Sequence, residues 1–218
     1  GEHIVTLIFV YLKMHEWDLQ HYLTNLWRKE YLSYNNSQYR LVCWELMFPS
    51  WKINDNRGKW NEVSIDFILY SEELAEFLCV ELKNHIKGNK DLLSAFCQTT
   101  QRTIHFTKQY DTEKLKKARE LCHKSPMDGR GVSLTADDIS FSSNPSIKRI
   151  LMANSFQSNA SGRIDYFNGL NREELQNEYS KYSLNNKEFE RFNAVKDEEF
   201  HLISNHPLSL IDLGNIEI

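Results

Sequence analysis

The chain has few cysteines, and Cys43, Cys79, Cys97 and Cys122 never fall in CxxC spacing. That pattern excludes a conventional zinc site and fits small thiols in a reducing, intracellular compartment such as the cytoplasm. A long apolar run is missing as well. The longest, residues 4–12, is too short to cross a bilayer and lacks the basic start and small-residue cleavage site of a signal peptide, so neither membrane insertion nor export is expected. A strong charge of either sign is also absent. With a formal net charge of −4 there is no global basic field, and any nucleic-acid binding must rest on local clusters. Internal repeats and low-complexity tracts are lacking. The first residue is Gly1 rather than methionine, as in a processed chain or a piece of a longer one.

What is present suits a packed domain. Of 218 residues, 41% are hydrophobic, 12% aromatic and 26% charged, which is enough apolar material for one substantial core. Residues 16–34 carry Trp17, Leu19, Tyr22, Leu23, Leu26, Trp27, Tyr31 and Leu32 at three- and four-residue spacing, which predicts an amphipathic helix. Residues 38–47 predict a second helix, with Leu41, Trp44 and Phe48 on one face, Glu45 as its single acid and Pro49 as its stop. The polar stretch 52–59 reads as an exposed turn, and residues 62–70 and 77–83 as two strands. Helices are expected over 90–110 and 112–123, a mobile loop over 125–146, a strand over 148–156, polar helices over 171–204 and a last strand or a tail over 208–213. Residues 3–13 suit either a strand or a helix. The expected architecture is α/β. A core spans 1–160 with its N-terminal helices, and a helical C-terminal region, 161–218, is packed on it or continuous with it.

The readable chemistry lies in residues 64–102. Asp66 sits between Ile65 and Phe67 in one strand, and after fourteen further residues Glu81 and Lys83 follow the apolar FLCV in the next. Side chains alternate along a strand, so Glu81 and Lys83 point to the same side. Two carboxylates on neighbouring strands can share a hard divalent cation such as Mg²⁺, which prefers oxygen ligands, and the Leu82 carbonyl between them offers another oxygen. The Lys83 ammonium is placed to orient an attacking water and to stabilise charge on a phosphoryl group. Lys87, Lys90 and Arg102 belong to a local positive excess suited to phosphates.

Ile65-Asp66, the fourteen-residue gap and Glu81-Leu82-Lys83 resemble the core motif of the PD-(D/E)XK nuclease superfamily, with Ile65 in place of the proline. The resemblance implies a restriction endonuclease-like fold, in which the Asp and the ExK lie on adjacent strands of a mixed sheet flanked by helices. It implies phosphodiester hydrolysis with Mg²⁺ or Mn²⁺, on DNA rather than RNA by family habit. Metal binding falls to Asp66 and Glu81, with Leu82 and Glu45 as further ligands, and water activation to Lys83. Members of the RecB-like branch carry a glutamine on the following helix and a tyrosine four residues later. Gln98 fits the first position, and Arg102 stands at the second. The competing expectation is a nuclease-fold module without catalysis, acting in nucleic-acid binding or in a homodimer or larger protein assembly.

Overall fold

The computed structural model describes residues 15–53, 62–124, 139–182, 184 and 187–215. The readings of residues 3–13, most of 52–59 and most of 125–146 lie outside them.

Helix α1 (Glu16–Trp27) forms where Leu19, Leu23 and Trp27 recur every fourth residue and bury one stripe. Asp18 accepts the His15 N–H at its start. The helix stops at Trp27, short of the expected residue 34, because the chain turns into a hairpin. Strands β1 (Leu32–Tyr34) and β2 (Ser37–Phe48) are joined through Asn35 and Asn36, with φ of 49° and 61°. Asparagine tolerates this left-handed region, and two such residues in succession give the turn whose twist matches an antiparallel pair.

The second expected helix, 38–47, is strand β2. Its Tyr39, Leu41, Val42, Cys43, Trp44, Leu46 and Phe48 are all buried. A strand covered on both faces reads as a nearly continuous apolar run, which periodicity does not separate from a buried helix. Strands β3 (Val63–Ser71) and β4 (Glu76–Ile86) continue the antiparallel meander. Helix α2 (Asn89–Gln109) and helix α3 (Thr112–Lys124) follow, and strand β5 (Ser146–Phe156) returns parallel to β4.

Helices α4 (Ala160–Asn168), α5 (Arg172–Lys181), α6 (Lys187–Asn193) and α7 (Asp197–Phe200) lead to strand β6 (Ser209–Asp212). This strand joins the sheet parallel to β5. The C-terminal region is therefore not only helical. The result is an α/β structure on one six-stranded mixed sheet with its strands in chain order. Arg149 of β5 holds the C-terminal return in place. It donates from Nε to the His206 carbonyl at 2.9 Å and from Nη1 to Thr100 Oγ1 at 2.8 Å, and Asn168 clasps the main chain of Leu208 from both sides.

Helices cover both faces of the sheet. Tyr70 and Phe77 are cross-strand partners, and Phe67, three residues before Tyr70, points to the opposite face. Trp27 of α1 packs edge-on against Phe67, ring centroids 5.0 Å apart, and Phe106 of α2 packs on Phe77 at 5.3 Å. Phe106 also meets Phe48 and Tyr110. The four cysteines are buried free thiols.

Candidate active site

Strand register assembles the site. Between β2 and β3, Trp44 pairs with Phe67 and Leu46 with Ile65, so Glu45 stands across from Asp66. Between β3 and β4 the pairing runs from Ser71–Glu76 to Phe67–Val80 and ends there. Asp66 and Glu81 are the next pair in that register. At this point the Leu82 N–H donates to Asp66 Oδ2 at 2.7 Å. A side-chain acceptor takes over where the ladder ends, and the strand ends open around the carboxylates. Leu82 itself is buried.

Glu45 lies on β2 rather than on a helix, which corrects its expected setting. Its φ is 47°, and β2 shifts register between Leu41 and Cys43 just upstream. A non-glycine residue in the left-handed region costs about 1–3 kcal/mol and persists where its surroundings fix it. Here Gln20 Nε2 of α1 donates to Glu45 Oε1 at 2.7 Å, and the Asp66 carboxyl hydrogen-bonds to Glu45. Such a bond between two carboxyl groups needs a shared proton, or a cation in its place. Burial first, then the neighbouring Glu81 and Glu45 charges, raises Asp66 well above the usual carboxylate range. Burial also raises Glu45.

Glu81 has the opposite balance. Burial alone would raise it, but Arg102 and Lys83 outweigh burial and hold it low. Lys83 Nζ sits 2.9 Å from Glu81 Oε1, and Arg102 Nη1 contacts Oε2. Burial disfavours charge on Lys83, yet Glu81, Glu16 and Asp66 raise it overall, so it stays an ammonium at neutral pH.

Helix α2 brings Arg102 into the site by its second partner as well, Glu188 Oε1 of α6, 3.4 Å from Nη2. Gln98 is one helical turn before Arg102, and its Oε1 is buried without a hydrogen-bond partner among the described residues. Lys87 and Lys90 are exposed at the β4–α2 connection, apart from the carboxylate cluster's ion pairs. Glu16 was not singled out by sequence. It opens α1, is exposed, and lies within electrostatic reach of Lys83, Glu81, Arg102 and Glu45; partial desolvation, opposed chiefly by Lys83, raises its carboxyl. In sequence an acid in a first helical turn looks like ordinary complement to the helix dipole.

Among the described residues, no three His, Cys, Asp or Glu side chains stand in a ready metal-holding group. The donor chemistry still fits a hard divalent cation. Glu45 and Asp66 are carboxyl groups already in contact, Glu16 and Glu81 are within their field, and four acids face two cations, Lys83 and Arg102. All the acids offer oxygen, which Mg²⁺ and Mn²⁺ prefer. The element whose present pairing opposes a metal is Glu81, both of whose oxygens are engaged. Compared with protein-family models, with curated proteins and with solved structures, the chain matches none. The described residues include no helix long and apolar enough to cross a membrane.

Proposed function

We propose that this chain is a metal-dependent nuclease of the PD-(D/E)XK type, with a restriction endonuclease-like core, hydrolysing phosphodiester bonds in DNA in preference to RNA. The observation that carries the reading is the strand register that lines up Glu45, Asp66 and Glu81, with Lys83 beside Glu81, where the β3–β4 ladder opens. In support, Asp66 and the ExK residues lie on adjacent strands of a mixed sheet flanked by helices.

Asp66 and Glu45, with Glu81, would hold the cation. When bound, Mg²⁺ or Mn²⁺ polarises a phosphoryl oxygen and makes a bound water more acidic. Burial disfavours charge on Lys83 while its acidic neighbours favour the ammonium, which suits it to orient the water and stabilise developing phosphoryl charge. Gln98 offers an unspent carbonyl oxygen from α2. Lys87 and Lys90, exposed where β4 meets α2, suit backbone phosphates.

One observation favours the rival, a module without catalysis: the Glu81 carboxylate is saturated by Lys83 and Arg102. The two readings separate when purified protein is incubated with linear, circular and single-stranded DNA and with RNA, in Mg²⁺, Mn²⁺ or chelator. The nuclease reading expects metal-dependent cleavage that chelator stops. No cleavage of any substrate under any metal leaves the binding module.

A further inference from the structure

We propose that Arg102 is a built-in counter-cation for Glu81 that an incoming divalent ion displaces, with the guanidinium passing to Glu188 of α6. The inference rests on the metal-dependent reading above and adds to it a residue that sets metal affinity, together with the C-terminal helix that receives the displaced charge.

Glu81 has two oxygens and two partners. Lys83 takes Oε1 and Arg102 takes Oε2, so the carboxylate can bind a metal only by releasing one of them. Lys83 has no second ion-pair partner at bonding distance among the described residues, and its role in charge stabilisation requires it to stay. Arg102 does have one. Its Nη2 already stands 3.4 Å from Glu188 Oε1, close to but beyond a good hydrogen bond, so a small swing of the guanidinium completes that contact.

The receiving station is prepared. Gln101 Nε2 and Arg191 Nη1 hold Glu188 at 3.0 and 3.1 Å, which fixes its carboxylate beside α2. Two further atoms are unspent near Arg102. Its own Nε has no acceptor among the described residues, and the Gln98 Oε1 one turn earlier has no donor. A guanidinium that leaves Glu81 therefore has polar partners on its own helix and on α6. Arg102 is largely shielded from water, with 14% side-chain exposure, so it will not simply move out into solvent. A buried charge with no other partner would be expensive to release, and the two-partner arrangement removes that barrier.

Displacement makes the two ends of Arg102 act with opposite sign. Arg102→Gln removes the competitor at Glu81 and should tighten Mn²⁺ binding, measured by calorimetry, roughly 5- to 150-fold, the usual span of coupling between two sites. Glu188→Gln removes the receiving charge and should weaken Mn²⁺ binding, because Arg102 is then held to Glu81 alone. Arg102→Lys keeps a cation and should stay near wild type. A scaffold role for Arg102 would make both neutralising variants weaker or leave both unchanged, and either result overturns the proposal. DNA cleavage measured on the same samples keeps the two readings apart. Equal Mn²⁺ affinity in all proteins with metal-dependent cleavage sinks the displacement and leaves the nuclease; Mn²⁺ bound by none of them sinks both.

Discussion

Asp66→Asn should abolish cleavage and at the same time stabilise the protein at neutral pH. Asparagine matches aspartate in shape. Its Oδ1 can still accept the Leu82 N–H, and its Nδ2 can donate to Glu45 where the wild-type pair needs a proton. What disappears is a charge that burial and the Glu81 and Glu45 carboxylates all disfavour. Relief of a functional site of this kind commonly returns about 0.5–2 kcal/mol. For a chain of 150–250 residues each kcal/mol moves the melting temperature by about 2–4 °C, which gives an expected rise of about 1–8 °C. The pH dependence has a definite sign. A carboxyl raised in the folded state binds more protons folded than unfolded, so wild-type stability falls as pH climbs from the ordinary carboxylate range toward the raised value. The advantage of the Asp66→Asn variant should therefore be largest at neutral pH and vanish near pH 4, measured as Tm against pH for the two proteins side by side. A variant less stable than wild type at pH 7, or a gain that does not depend on pH, would refute the electrostatic account of this carboxyl pair.

Glu81→Gln should act the other way. It leaves Lys83 without its ion-pair partner and Arg102 with Glu188 alone, so the loss should be real but below the about 3–5 kcal/mol of a buried charge left wholly unpaired, seen as a lower urea midpoint at unchanged m. Phe106→Ala removes a ring packed on Phe48, Phe77 and Tyr110 and should cost about 3–5 kcal/mol by the same measurement. Glu16→Gln, at an exposed position, should leave Tm within about 2 °C of wild type while lowering the cleavage rate through the field it places on Lys83. A loss of stability without a change in rate would remove Glu16 from the site.

The meeting of the candidate residues is more legible in the sequence than the elements that frame it. Glu81 and Lys83 were readable because a short apolar run between polar turns makes a central strand, and strand parity then puts both side chains on one side. Asp66 was readable from its apolar flanks on the neighbouring strand. Glu45 meets Asp66, but from a strand and not from the helix that its spacing predicts. Leu41, Trp44 and Phe48 fall at helical spacing, yet the residues between them are buried too, and burial on both faces of β2 hid the strand period. Its approach to Asp66 depends on cross-strand register, which involves residues far apart in the chain. Tyr31 and Leu32 continue the spacing of the first helix beyond its actual end at Trp27, although the consecutive asparagines at 35 and 36 carry the hairpin signal. Arg102 looked like a departure from a family pattern, and only the docking of α2 on β4 and α6 makes it the partner of Glu81 and Glu188. Residues 208–213 suit a strand or a tail in sequence, and the place of β6 beside β5 rests on Arg149 and Asn168 contacts that no local sequence window contains.

The proposed metal-dependent cut by Asp66 and Lys83 stands or falls on one comparison. Single-turnover cleavage of duplex DNA in Mn²⁺ should be measured for wild type, Asp66→Asn and Lys83→Ala, with melting curves confirming that each is folded. Wild type should cleave in a chelator-sensitive way, and both folded variants should lose roughly 100-fold or more, the scale of removing one preorganised electrostatic group. Cleavage by either folded variant at the wild-type rate would contradict it.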